Sequence, residues 1–202
     1  MLIKYTSPGV PDCSQGNEFF DFSLVHPDNR RPVDYPSRGE ALIALAAIVQ
    51  RKAHGPAQTL FENAPNDGRA KLYVIWRLLM LRRLHASLFL HGGYTPLTAS
   101  GMHAANVVAY ARRYAGSGVI TIAGRMFGAL GLVAGALPCG EATWGDTEVA
   151  LTFLGEGTVL KNAFSGEAVK VTAGKLRVAA ALNLFPGAVF EYDRGEIGAA
   201  SG

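Results

Sequence analysis

The stretch Val107-Val108-Ala109-Tyr110-Ala111-Arg112-Arg113-Tyr114-Ala115-Gly116-Ser117-Gly118-Val119-Ile120-Thr121-Ile122 decides the fold. Val107, Ala109 and Ala111 alternate with Val108, Tyr110 and Arg112. A Gly116-Ser117-Gly118 turn and a second β-branched run follow. A period of two around a glycine turn predicts a β-hairpin. Further strands are predicted at 149–154, 168–172, 176–180 and 188–192, with glycine-bearing turns between them. Short strands at that spacing predict a small antiparallel sandwich. The tail 195–202 is small and polar and is expected to fray.

Upstream of residue 91 the period is helical. Leu42, Leu45, Ala46 and Val49 repeat on one helix face, with Ser37 read as N-cap, Glu40 in capping-box position and Gly55-Pro56 as the stop. A second helix is predicted from an N-cap at Asp67 through Leu72, Ile75, Trp76, Leu79 and Arg83. Val74, Leu78 and Leu81 fill its other faces, so it should be buried on several sides. Arg77, Arg82 and Arg83 suit the negative end of its dipole. Residues 1–36 differ: Pro8, Pro11, Pro27, Pro32 and Pro36 make a polar, turn-rich stretch.

Composition bounds the class. The chain has 202 residues, 49% of them hydrophobic and 17% charged, enough to bury a core and too apolar for disorder. Mean hydropathy is +0.16, which points to elements covered on more than one side. The longest apolar candidate for a membrane span, 126–138, is short and interrupted by glycines. No signal peptide is expected at the N-terminus. A net charge of +3, spread along the chain, gives no basic patch for nucleic acid. Cys13 and Cys139 stand far apart without metal spacing, as do the histidines. Two reduced thiols, a cytoplasmic location and no metal site are the expectation.

Chemistry concentrates in the first stretch. Asp12, Glu18, Asp21, Asp28 and Asp34 lie there with Gln15, Asn29, Arg30 and Arg31, interleaved with Phe19, Phe20, Phe22 and Tyr35. Carboxylates and amides pair with vicinal hydroxyls, and aromatic rings stack on sugar faces, so the loop is a candidate carbohydrate surface. The alternative is a solvated loop tied by pairs such as Arg30 or Arg31 with Asp28 or Asp34. No serine elbow or phosphate-binding glycine loop is present.

Ser7-Pro8-Gly9-Val10-Pro11-Asp12 and Gln15-Gly16-Asn17-Glu18 resemble the eighth barrel strand and following loop of the α-amylase superfamily. The run Asp21-Phe22-Ser23-Leu24-Val25-His26-Pro27-Asp28-Asn29-Arg30-Arg31-Pro32-Val33-Asp34-Tyr35 resembles the signature of maltooligosyltrehalose synthases. Leu81-Arg82-Arg83, Leu88-Phe89 and Gly93-Tyr94-Thr95-Pro96-Leu97 resemble their last barrel helix and its exit. Val108-Ala109-Tyr110-Ala111-Arg112-Arg113 resembles the first strand of their C-terminal sandwich. Trp144-Gly145-Asp146-Thr147 and Phe164-Ser165-Gly166 resemble its late strands. Cys13-Ser14, His26 and Gly93 depart from the residues usual there, which are an aliphatic residue with a tyrosine, an aspartate and an aspartate.

The resemblance implies an α+β fragment. Residues 1–90 would be the end of a catalytic (β/α)8 barrel, with strand eight, a substrate loop and two or more helices. Residues 91–202 would be an antiparallel β-sandwich. It implies part of an isomerase of trehalose biosynthesis, which converts the reducing-end α-1,4 linkage of a maltooligosaccharide to an α,α-1,1 linkage. The implied route is a covalent intermediate with retention, and it requires no metal or organic cofactor. Gln15, Glu18, Asp28, Asn29, Arg30, Arg31 and Asp34 would bind substrate. The catalytic carboxylates are expected ahead of residue 1, so this chain alone would be inactive. Its partners would be the maltooligosaccharide and the rest of the barrel, with no nucleic acid and no membrane. A stand-alone glucan-binding or structural module is the alternative.

Overall fold

The computed structural model describes residues 1–22, 32–50, 60 and 68–193. The fold is α+β with antiparallel sheets. Nine strands are described: β1 (Gly93–Pro96), β2 (Ala99–Ser100), β3 (Val107–Tyr114), β4 (Ser117–Gly124), β5 (Glu148–Ala150), β6 (Val159–Asn162), β7 (Ala168–Lys170), β8 (Lys175–Arg177) and β9 (Gly187–Asp193). They form a six-stranded sheet, β1-β3-β4-β9-β6-β7, and a three-stranded sheet, β2-β5-β8. One apolar cluster joins the two. Ala111, Ile120, Ile122 and Phe190 come from the larger sheet, Val149 and Leu176 from the smaller, with Trp144 and Leu151 between them.

The other face of the six-stranded sheet is covered by helices. These are α1 (Leu2–Thr6), α2 (Tyr35–Gln50), α3 (Gly68–Leu84) and α4 (Ala86–His91); α5 (Glu141–Trp144) and α6 (Val178–Ala181) are single turns within the β region. As its pattern predicts, α3 buries several faces, through Leu72, Tyr73, Val74, Ile75, Leu78 and Leu81. These pack in one cluster with Tyr5, Leu45, Val119, Phe164 and Val189. Two side chains of α3 also bond to the turn after β6. Tyr73 Oη donates to Phe164 O at 2.6 Å, and Arg77 donates to Ala163 O through Nε at 2.9 Å and Nη2 at 2.6 Å. Arg112, buried on β3, donates to the carbonyls of Phe89, Gly92 and Gly93 and so caps the end of α4. No helix among the described residues is long and apolar enough to cross a membrane.

Several local expectations are corrected. The stretch 7–12, expected as a barrel strand, carries no strand; α1 precedes it. Pro8 and Pro11 offer no N–H to a ladder, Gly9 sits at φ +98°, and no described strand lies beside it. The Gly9 carbonyl turns to a side chain instead: Arg82 donates to Gly9 O, and to Tyr5 O of α1 just before it. Residues 93–96, read as a barrel exit, form β1 on the edge of the larger sheet. Trp144 lies in α5, and Phe164-Ser165-Gly166 turn between β6 and β7 rather than extend. The strand predicted over 176–180 stops at Arg177, because the alanine run after it favours a helical turn, closed by Leu182 N to Val178 O at 2.8 Å. The strand predicted over 149–154 stops at Ala150, since Leu154 N turns back to Leu151 O. That predicted over 168–172 stops at Lys170.

The hairpin is present, but its turn is shifted. Tyr114 pairs with Ser117, so Ala115-Gly116 is the loop and Ser117-Gly118 begins β4. Ala115 has φ 47° and Gly116 φ 89°, both positive, as a type I′ turn requires. Gly118 has a packing role instead: a Cβ there would stand 2.4 Å from Tyr192 Cζ. An L-residue with a side chain is disfavoured at positive φ by about 1–2 kcal/mol. Ala115→Gly should therefore raise unfolding free energy by about 1 kcal/mol, after the extra chain entropy of glycine is subtracted. Urea denaturation checks this; a destabilised variant would contradict the turn geometry.

Candidate functional site

The loop singled out by composition is organised around a residue the sequence reading did not name, Arg38, on the first turn of α2. Its Nη2 donates to Gly16 O at 2.8 Å, its Nη1 to Asp34 O at 3.0 Å, and its Nε to Glu18 Oε2 at 3.3 Å. The guanidinium also lies over the Phe19 ring, 5.0 Å from its centroid. A planar fork of five donors can serve three acceptors at once, which an ammonium cannot do in fixed geometry. Gly16 presents its carbonyl from φ +90°, and a Cβ there would meet Val33 Cγ2 at 3.1 Å. Glycine is therefore required at the pivot of the loop.

The far side of the loop rests on the start of α3. Lys71 Nζ donates to Phe19 O at 2.8 Å and lies 5.6 Å from the Phe20 centroid. Burial pushes the Lys71 ammonium below its ordinary value. Beneath the loop, Tyr5 is buried; burial first, and its hydrogen bond with the Cys13 thiol second, push its hydroxyl above the ordinary phenol range. Outward, Phe20, Phe22 and Tyr35 are exposed, and the Phe20 and Phe22 centroids are 6.1 Å apart. Such rings offer apolar faces with room above them.

Of the predicted site residues, three are described. Gln15 Oε1 accepts a hydrogen bond from Tyr35 Oη at 3.2 Å. Glu18 pairs with Arg38. Asp34 Oδ1 accepts from Ser37 N at 3.0 Å, so Asp34 and not Ser37 is the N-cap of α2. All three are gathered around one helix start. Asp28, Asn29, Arg30 and Arg31 lie outside the described residues, as does the expected cap Asp67. The residues missed, Arg38 and Lys71, had weak signals: a basic residue four positions after Asp34, and a lysine at the head of an apolar helix. No cluster of metal-ligating side chains occurs among the described residues.

Arg38→Ala removes three hydrogen bonds and a ring contact, and should cost about 2 kcal/mol in urea denaturation. Arg38→Lys should recover little of this; full recovery would show that charge alone, and not the fork, holds the loop. Tyr5 sets a pH dependence. Its folded value lies above the unfolded one, so its stability is complete below the ordinary phenol range and is lost as pH rises through the folded value. The stability difference between wild type and Tyr5→Phe should be flat up to about pH 9 and move against wild type above about pH 10. A flat difference to pH 11 would contradict the burial of that hydroxyl.

No family model matches the chain. Proteins described as putative maltooligosyl trehalose synthases of Mycobacterium tuberculosis, from strains CDC 1551 and H37Rv, are 42% identical over 111 residues, which is 55% of this chain and 12% of theirs. The solved maltooligosyltrehalose synthase from Arthrobacter ramosus aligns over 95% of this chain and 21% of its own, at 31% identity and a TM-score of 0.68. An Anoxybacillus α-amylase shares the fold alone, at 17% identity and a TM-score of 0.55 over 95% of this chain. The chain thus spans a minor part of the relatives it matches. It is similar to a portion of proteins described as maltooligosyltrehalose synthases.

Proposed function

We propose that this chain is the C-terminal portion of a maltooligosyltrehalose synthase, and that the Gly16–Arg38 loop forms part of its substrate site. The observation that carries the reading is the match over 95% of the chain at 31% identity to a solved enzyme of that name. The loop geometry supports it. Arg38 and Lys71 hold the main chain from opposite sides, while Phe20, Phe22 and Tyr35 stay exposed. Main chain held at Gly16, Phe19 and Asp34, with outward rings and a Gln15 amide, suits the holding of a sugar at the reducing end. Holding matters because the released glucose must turn and re-attack before water does.

The chemistry itself is assigned to carboxylates outside this chain. Within it, Glu18 is engaged by Arg38 and Asp34 caps a helix, so these two loop carboxylates serve structure. The reading gives them second contacts to substrate through their remaining oxygens. It gives direct contacts to Asp28, Asn29, Arg30 and Arg31 by the resemblance. In the division proposed, residues 1–90 complete the catalytic barrel and 91–202 form the accessory β-domain.

Two measurements test this. The complete polypeptide should convert maltopentaose to a non-reducing product, seen as loss of reducing ends, while this chain alone should not. Product from the chain alone, or intact reducing ends with the complete polypeptide, would overturn the assignment. In the complete enzyme at least one of Arg30→Ala and Arg31→Ala should lower kcat/KM about ten- to a hundred-fold, the loss of a charged hydrogen bond of about 1.5–3 kcal/mol. If both leave kcat/KM unchanged, the loop does not bind substrate.

A further inference from the structure

A second cleft lies away from this loop. The loop sits at the head of α3, a helix of 17 residues and so about 25 Å long. The cleft opens past the end of α4, beside the β3–β4 turn. Its volume is about 280 Å³, and its walls include Gly93, Thr95, Arg113, Ser117, Phe153 and Tyr192. Small-molecule clefts begin near ~300 Å³, so it has the size for a short saccharide.

The chemistry of its walls is specific. Arg113 is exposed, and its guanidinium lies 4.8 Å from the Phe153 centroid. The Phe153 and Tyr192 rings are 6.1 Å apart and inclined at 53°. Arg113 Nη2 makes one long hydrogen bond, 3.5 Å, to Thr95 Oγ1. Among the described residues no carboxylate pairs with Arg113. Ser117 Oγ donates to Tyr114 O, which leaves its lone pairs open to a donor. One guanidinium fork with neutral hydroxyls and aromatic walls fits vicinal sugar hydroxyls. A small anion is better held by several cations or a nest of N–H groups.

Gly93 shapes the opening. It stands directly across from Arg113 in the β1–β3 register. A Cβ at Gly93 would have nothing within 4 Å, so the space beside it is open. A carboxylate there would face the guanidinium and occupy its donors.

We propose that this cleft is an accessory binding site for a short maltooligosaccharide, with Arg113 as its hydroxyl ligand and Gly93 as the residue that keeps it open. The choice of an α-1,4-glucan as the saccharide rests on the function proposed above; the cleft itself does not. The test is an NMR titration of the full chain with maltotriose, in wild type, Arg113→Gln and Gly93→Asp. Wild type should show saturable shifts of amides at 93–95 and 113–117. Both variants should keep dispersed spectra and bind at least about ten-fold more weakly, the loss expected for one charged hydrogen bond. No shifts at these amides, shifts undiminished in both variants, or the same shifts with inorganic phosphate would each overturn the proposal. The catalytic reading is tested apart from this, by loss of reducing ends. A working enzyme with an empty cleft and a filled cleft without catalysis are therefore distinguishable.

Discussion

The contact on which the rest depends is the docking of α3 on the six-stranded sheet. An amphipathic helix buries one stripe, but α3 buries Leu72, Tyr73, Val74, Ile75, Leu78 and Leu81 and so needs cover on several sides. Sheet residues Val119 and Val189 supply it on one side, and Tyr5 and Leu45 on others. Tyr73 and Arg77 fix the depth and rotation of the helix by bonding to two successive carbonyls, Phe164 O and Ala163 O. Once α3 is set, both of its ends become fixed points. Lys71 at the head holds the loop at Phe19, and Arg82 near the tail holds Tyr5 and Gly9. The candidate site is therefore positioned by the sheet, through the helix, although among the described residues no strand contributes a side chain to it.

Basic residues act here mainly as connectors. Arg38, Arg77, Arg82 and Arg112 all donate to main-chain carbonyls, and Arg82 and Arg112 both lie over the Phe89 ring. Burial pushes the guanidinium values of Arg82 and Arg112 below the ordinary range, and the nearby charge of Arg112 lowers that of Arg82 further. Carbonyl oxygens left over at loop starts and helix ends need donors, and a long side chain with a rigid fork can reach several at once.

What the sequence made legible follows from period. The all-round apolar pattern of α3 and the alternation in β3 and β4 are long, and long patterns average out local accidents. Short strands were harder. Residues 149–154 and 176–180 have strand-like composition, yet extension ends at Ala150 and at Arg177, where a turn or an alanine run competes with it. β1 and β6 lacked a readable signal because each has only four residues, β1 with no buried position and β6 with one. In the candidate site, the grouping of Gln15, Glu18 and Asp34 is legible in composition, since polar residues cluster visibly along the chain. Arg38 and Lys71 escaped because their meaning is tertiary: each is defined by the carbonyl it reaches, and a carbonyl has no letter of its own. The barrel-strand reading of 7–12 failed for a related reason. A parallel strand is made by its neighbours, and among the described residues it has none.

The most direct test of this account is native-state hydrogen exchange on the chain and on Arg77→Ala. If the helix docks the loop to the sheet, amides of α3, β4 and β9 should exchange with the same free energy of opening in the wild type. Arg77→Ala should then lower protection in α3 and, with it, at Gly16 to Phe19, which Arg77 does not touch. If the loop amides keep their protection in Arg77→Ala while α3 loses its own, the loop is held independently, and the sheet does not position the site.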